Sequence, residues 1–319
     1  MKNPNFHSCL AKRMEKFVAL RRLAGTDYQS QIKLLKYFDD FLFKKQLNSQ
    51  YLTRDIIDRY LCTVSYLHKR TQYNRFSVLS QFCRYLSQFE PLCYIPQTIH
   101  CAKSASSRIP YIYTNDEIQA LLREAAELLP QNSLRPRTYR TLFGLLYTTG
   151  LRISEALALN IKDFYPDTKR LYIRQGKFHK ARWIPLASST SQMLEKYIDI
   201  RQRTASIASD SPLFVSLRHQ RLHYSTVYHT FRSLLRQCHI PINKNSSVRI
   251  HDLRHTFAVH RLLLWYCDGQ DINARLPALA TYMGHVDISS TQIYIQATSE
   301  LLQQANQRFL TYFHQNITK

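Results

Sequence analysis

The sequence predicts a mainly α-helical protein of two domains: an N-terminal helical bundle, then a mostly helical domain carrying a small β-sheet or hairpin. Three observations predict this. Apolar residues recur at helical spacing over most of the 319 residues, a length sufficient for two cores. The stretch 171–185 reads instead as two short β-runs about a glycine-lysine turn. A small, polar, basic segment at 102–110 (AKSASSRIP) interrupts the periodicity. The linker is placed at 104–110, between an N-terminal domain at 1–103 and a second domain at 111–319.

In the first domain, Ile32, Leu35, Phe38, Phe41 and Leu42 form an apolar helical stripe between Tyr28 and Gln46, with lysines between them. Thr53 is a good N-cap for a second run holding Ile56, Ile57, Tyr60, Leu61 and Val64. A third run carries Phe76, Leu79, Phe82, Cys83 and Leu86 and stops before Pro91. These stripes are the core of a small bundle. Lys69, Arg70, Arg75 and Arg84 suit phosphate contact and a solvated face equally well.

In the second domain, Thr114-Asn115-Asp116-Glu117 has the form of a capping box and opens a helix through Leu129. Pro136 suits the first turn of the next helix and Gly150 its end. Strands are expected at 171–174 and 182–185, joined through Gly176-Lys177. Helices are then expected at about 190–203, 225–238, 251–266, 272–283, 288–296 and 299–312.

Forty-four Lys+Arg against 22 Asp+Glu leave a formal charge of +22, which calls for a polyanionic partner, most commonly nucleic acid. No apolar run reaches the length of a membrane-spanning helix, and Lys12, Arg13, Lys16, Arg21 and Arg22 break up any signal-type core. The 7 cysteines are scattered without a C-x-x-C, as expected of reduced thiols in a cytoplasmic protein.

Phosphodiester cleavage needs an in-line nucleophile, neutralisation of the non-bridging oxygens and a proton for the departing oxygen. Bound cations supply the charge in many nucleases. This sequence has no acidic cluster to hold Mg²⁺; its reactive segments carry Arg and His. Guanidinium forks can take the metal's place, because they present paired N–H donors to phosphate and stay charged.

Arg254 follows His251 by three residues in HDLRH, so a helix puts both on one face. Taken alone, that spacing equally describes a basic helix touching DNA nonspecifically. His251 and His255 also have the spacing of a zinc pair, but Asp252 is shorter than the required glutamate and no third ligand follows. His255 reads as structural or bonded to backbone. Arg152 stands in TGLRISEALAL, just past a helix stop, with Glu155 either capping the next helix or bonded to Arg152 or a catalytic histidine. Lys177 occupies the hairpin turn in QGKFHKARWIPL, with Lys180 as its rival. Gly284-His285 opens a segment in which Tyr294 lies nine residues beyond the histidine.

In order and spacing, Arg152, Lys177, His251, Arg254, His285 and Tyr294 resemble the catalytic set of the tyrosine recombinases (phage integrase family, Xer-like). The resemblance covers 111–319 well; the N-terminal part matches in size, helicity and charge. One departure is a longer stretch between Arg254 and His285, through 265–271.

The resemblance implies a SAM-like, core-DNA-binding bundle followed by a catalytic domain of the DNA breaking-rejoining fold. It implies that Arg152, Arg254, His251 and His285 contact the scissile phosphate. Lys177 is favoured as general acid because it directly follows the glycine, and Arg182 is the usual basic residue ahead of the second strand. Tyr294 is the implied nucleophile; a phenol with a pKa of about 10 has to be activated by cationic neighbours or proton transfer.

The expected partners are double-stranded DNA with specific recombination sites and a homotetramer on two duplexes, alone or together with related recombinases. No metal, ATP or other cofactor and no membrane are expected. The last helix, with Leu301, Leu302, Phe309 and Leu310, suits docking on a neighbouring protomer or on its own domain. Two other readings are a type IB topoisomerase-like enzyme and a catalytically silent DNA-binding protein.

Overall fold

The computed structural model describes residues 4–47, 49–97, 110–174, 181–204, 208–241 and 248–284. The chain divides into two compact units, Met1–Ser107 and Arg108–Lys319. The expected linker lies almost wholly outside the described residues.

The first unit is built on α1 (Ala11–Leu23), α2 (Gln29–Lys44), α3 (Arg54–Thr63) and α4 (Lys69–Leu86). Helices α2, α3 and α4 follow the three apolar stripes, and the Thr53 hydroxyl accepts from the Ile56 amide as an N-cap. Helix α1 was not singled out by its pattern, since its buried stripe is only Met14, Phe17 and Val18 within a basic surround. Packing supplies what its periodicity lacks: the Phe17 ring lies 5.5 Å from Phe82 and 5.3 Å from Tyr85. Buried Asp39 accepts from the backbone N–H groups of His7 at 2.7 Å and Ser8 at 3.0 Å, tying the entry to α1 onto α2.

The second unit contains α5 (Asn115–Ala126), α6 (Arg135–Thr149), the short α7 (Ile153–Ala158), α8 (Ser188–Thr204), α9 (Tyr224–Gln237), α10 (Asp252–Cys267) and α11 (Ile272–Met283). The capping box at Thr114 and Glu117 forms as expected, although α5 stops at Ala126, short of Leu129. Pro136 lies in the first turn of α6 and Gly150 ends it with φ +61°. Helix α6 is buried on nearly every side, through Tyr139, Leu142, Phe143, Leu145 and Leu146, because α5, α8 and α10 all pack on it.

The expected hairpin is part of a three-stranded antiparallel sheet: β1 (Phe164–Tyr165), β2 (Arg170–Ile173) and β3 (Arg182–Pro185). Leu171 pairs with Ile184 and Tyr172 with Trp183. Strand β1, only two residues long, is too short to show as a pattern. The glycine-lysine turn and the helices expected at 288–296 and 299–312 lie outside the described residues.

Cys9, Cys62, Cys83, Cys93, Cys238 and Cys267 are free thiols. Among the described residues, no helix is long and apolar enough to cross a membrane.

Phe143 stands fully buried where α6 meets its neighbours, its ring 5.6 Å from Phe231. Phe143→Ala should cost about 3–5 kcal/mol. Urea unfolding should show that loss in the transition of the second unit; an unchanged midpoint would mean that α6 is not the centre of its core.

Candidate active site

The site is built around the C-terminal end of α11. Three successive carbonyls there, which the helix leaves without internal partners, each accept from a different arginine. Tyr282 O accepts from Arg182 Nε at 3.1 Å, Met283 O from Arg254 Nη2 at 2.7 Å, and Gly284 O from Arg152 Nη2 at 3.0 Å. The negative end of the helix dipole favours positive charge at this place.

Each arginine reaches this point from a different element. Arg152 is the residue before α7, placed by the turn at Gly150. That turn needs glycine: φ is +61°, and a Cβ would stand 2.4 Å from Phe257 Cδ1. The turn also presents Gly150 O to Arg254 Nη1, at 2.6 Å. Arg254 lies in the first turn of α10 and is 2 % exposed, its guanidinium spanning from the end of α6 to the end of α11.

Arg182 is the first residue of β3, which spans the expected 182–185. It has the parity of buried Ile184, so it points to the inner face of the sheet. There it forms a fork with Glu155, Nη1 to Oε1 at 3.0 Å and Nη2 to Oε2 at 2.8 Å.

Glu155 answers the alternatives left open by the sequence in two ways. It caps α7, its Oε2 accepting from the Arg152 amide at 3.1 Å, and its Oε1 accepts from Arg152 Nη1 at 2.8 Å. Burial alone would push its carboxyl up. The Arg182 fork, then Arg152, override burial and hold it below the usual carboxylate range. Two guanidiniums thus share one carboxylate, which leaves an excess of positive charge suited to an anion.

His251 forms the N-cap position of α10, one residue before the helix that was expected to begin with it. Its ring stands edge-on to His255, with centroids 4.8 Å apart. The residue keeps solvent exposure, yet its imidazole is pushed down to about 4. Desolvation by the surrounding chain is the largest cause. Repulsion from Arg254, Arg152 and Arg249 adds to it, and Glu155 opposes it. The ring is therefore neutral at pH 7. Among the described residues, no group of three or more His, Cys, Asp or Glu side chains could hold a metal.

The structure thus brings together Arg152, Arg254 and His251 of the expected set. Lys177, with its rival Lys180, and His285 and Tyr294 lie outside the described residues, although His285 directly follows Gly284 in sequence. The part played by Arg182 was missed at the level of sequence. A partial signal was present: alternation with Ile184 puts Arg182 at a core-facing strand position, where an arginine requires a buried acceptor, but nothing local says which acceptor.

Two expectations follow. In Arg182→Gln the fork is lost, Glu155 keeps Arg152 as its one guanidinium partner and Tyr282 O loses its donor, which should cost about 1–3 kcal/mol in chemical denaturation. A change below about 1 kcal/mol would mean that the fork is dispensable. The His251 ring should titrate in ¹H–¹⁵N spectra with a midpoint near 4, and a midpoint at the ordinary value would contradict the geometry. The sign is that of a lowered pKa. The unfolded chain takes the proton first, so stability is lost as pH falls from the ordinary histidine range towards about 4.

Comparison with known proteins places the chain among relatives. Residues 112–300 match the model of the phage integrase family. Putative integrase/recombinase y4rB of Sinorhizobium fredii is 36% identical over 73% of this chain and 76% of its own length. A second protein of that organism, y4rE, is 30% identical over 95% and 96%. Among solved structures, the Tn1549 transposon integrase in complex with transposon right end DNA superposes with a TM-score of 0.65, at 16% identity over 93% of this chain and 99% of its own. XerH site-specific recombinase bound to a palindromic difH substrate gives 0.64, at 20% identity over 96% and 90%. These likenesses establish the DNA breaking-rejoining fold, and the sequence relationship goes further: the chain belongs to the phage integrase family, the tyrosine recombinases.

Proposed function

We propose that this protein is a site-specific DNA recombinase that cleaves and rejoins strands through a 3′-phosphotyrosyl intermediate. The observation that carries the reading is the arginine cluster, in which two guanidiniums share Glu155 and a third is held by carbonyls, with His251 at the same place. Such a site attracts a phosphate diester and stabilises the further charge of its pentacoordinate state.

In this reading the Tyr294 hydroxyl gives up its proton to a neighbouring base as its oxygen attacks the scissile phosphorus in line, and the bond from phosphorus to the 5′ oxygen breaks. Lys177 delivers a proton to that leaving oxygen, producing a free 5′-hydroxyl. Arg152, Arg254, His251 and His285 hold the non-bridging oxygens. Neutral His251 acts there as a hydrogen-bond donor, and an arriving phosphate favours its protonation. The phosphotyrosyl bond conserves the energy of the phosphodiester, so rejoining to a new 5′-hydroxyl is the same step reversed and needs neither ATP nor a metal. Both domains, 1–103 and 111–319, contribute contacts to the duplex in this reading. Four copies, of this chain alone or together with related recombinases, act on two duplexes in the cytoplasm, as suits a mobile element.

A covalent-trapping assay tests this. Nicked duplexes covering the DNA that flanks the gene, incubated with the protein in EDTA, should give a denaturation-resistant adduct that Tyr294→Phe abolishes while still binding DNA. An adduct that needs added metal and persists in Tyr294→Phe would sink the mechanism. Binding should weaken steeply with salt, in proportion to the phosphates contacted.

A further inference from the structure

The inner face of the small sheet is accounted for by the core and the arginine cluster; its outer face is not. There Trp183 lies between two tyrosines, 5.0 Å from the Tyr165 ring and 4.7 Å from that of Tyr172, its cross-strand partner. Trp183 is 49 % and Tyr165 41 % exposed. A sheet face open to water ordinarily carries polar side chains, so three adjoining rings there point to a ligand. The flanking charge is positive. Exposed Arg170 is paired across the strands with Tyr165, and the Arg174 guanidinium lies 5.7 Å from the Tyr172 centroid while bonded to Asp163.

We propose that this face is a stacking platform for unpaired bases of the DNA strand being exchanged. Aromatic rings flanked by arginines match the flat faces of nucleobases joined by phosphates. An intact duplex buries those faces between neighbouring pairs, which selects for single-stranded DNA.

The proposal rests on the strand-exchange reading, in which cleavage frees a 5′-hydroxyl end whose bases must leave one duplex for another. The platform adjoins the site directly. Arg182 and Trp183 are consecutive in β3, so one turns inward to Glu155 and the other outward among the tyrosines. The arginine cluster and the rings therefore stand back to back on the two faces of one strand.

The chain has 2 tryptophans, Trp183 and Trp265, so Trp265→Phe leaves Trp183 as the lone indole reporter. Titrating that full-length variant with a short oligothymidylate should quench its emission saturably. Trp183→Ala should weaken oligonucleotide binding, read by anisotropy of a labelled strand, by about tenfold or more. Trp183→Phe, which keeps a ring, should retain most of the affinity, and duplex binding should change little in either.

Emission that ignores saturating oligonucleotide would overturn the proposal, as would equal affinities in the wild type and Trp183→Ala. Self-association lost in Trp183→Ala, without an oligonucleotide response, would assign the face to a protein contact instead. The Tyr294-dependent adduct, measured on the same preparation, keeps the two ideas apart. An adduct without quenching removes the platform alone, whereas quenching without an adduct removes the recombinase reading.

Discussion

The end of α11 is the constraint on which the site depends. A helix terminus leaves its last carbonyls without backbone partners, and burying them unpaired would be costly. Here the pairing is done by three guanidiniums, from α10, from β3 and from the turn before α7, each taking one of three consecutive carbonyls. The arrangement binds in both directions. The arginines complete the helix, and the helix holds at one point three cations that would otherwise repel one another.

Glu155 makes the convergence tolerable. Its two oxygens accept from both Arg152 and Arg182 while also capping α7, so that one carboxylate sets the spacing of two guanidiniums and the start of a helix. A second carboxylate on these guanidiniums would neutralise the pair and remove the site's attraction for phosphate. With one, the positive excess persists and is felt by His251, whose proton affinity it depresses together with desolvation. Stability and anion affinity thus draw on the same residues. Glycine enters at both helix ends facing this point. Gly150 turns at φ +61° and Gly284 at φ +70°, and a Cβ on Gly284 would come within 2.9 Å of the Arg182 guanidinium.

The sheet divides its work by strand parity. On one side Leu171, Ile173 and Ile184 join the core, with Arg182 directed to the arginine cluster; on the other, aromatic rings face solvent. Two neighbouring residues of β3 therefore serve different surfaces, which an antiparallel sheet covered on one face allows.

Much of this was legible in the sequence because it is local. Helical stripes, the Thr53 and Thr114 caps, Pro136 at the opening of α6 and Gly150 at its close depend on residues within a turn or two of one another. Arg152, His251 and Arg254 were legible through the spacing of their motifs. The pattern could not show α1, whose short stripe becomes a helix face only against Phe82 and Tyr85, or β1, which exists through pairing with β2. Nor could it show the meeting of Arg182, Glu155 and the end of α11. These lie far apart along the chain, and hydrogen bonds between them form only once packing has brought three elements to one place. The sequence by itself determined which chemical groups are present and which helices carry them. The tertiary structure decided which groups share a carboxylate and where the unshared charge remains, because electrostatic coupling depends on distance in space and not on separation along the chain.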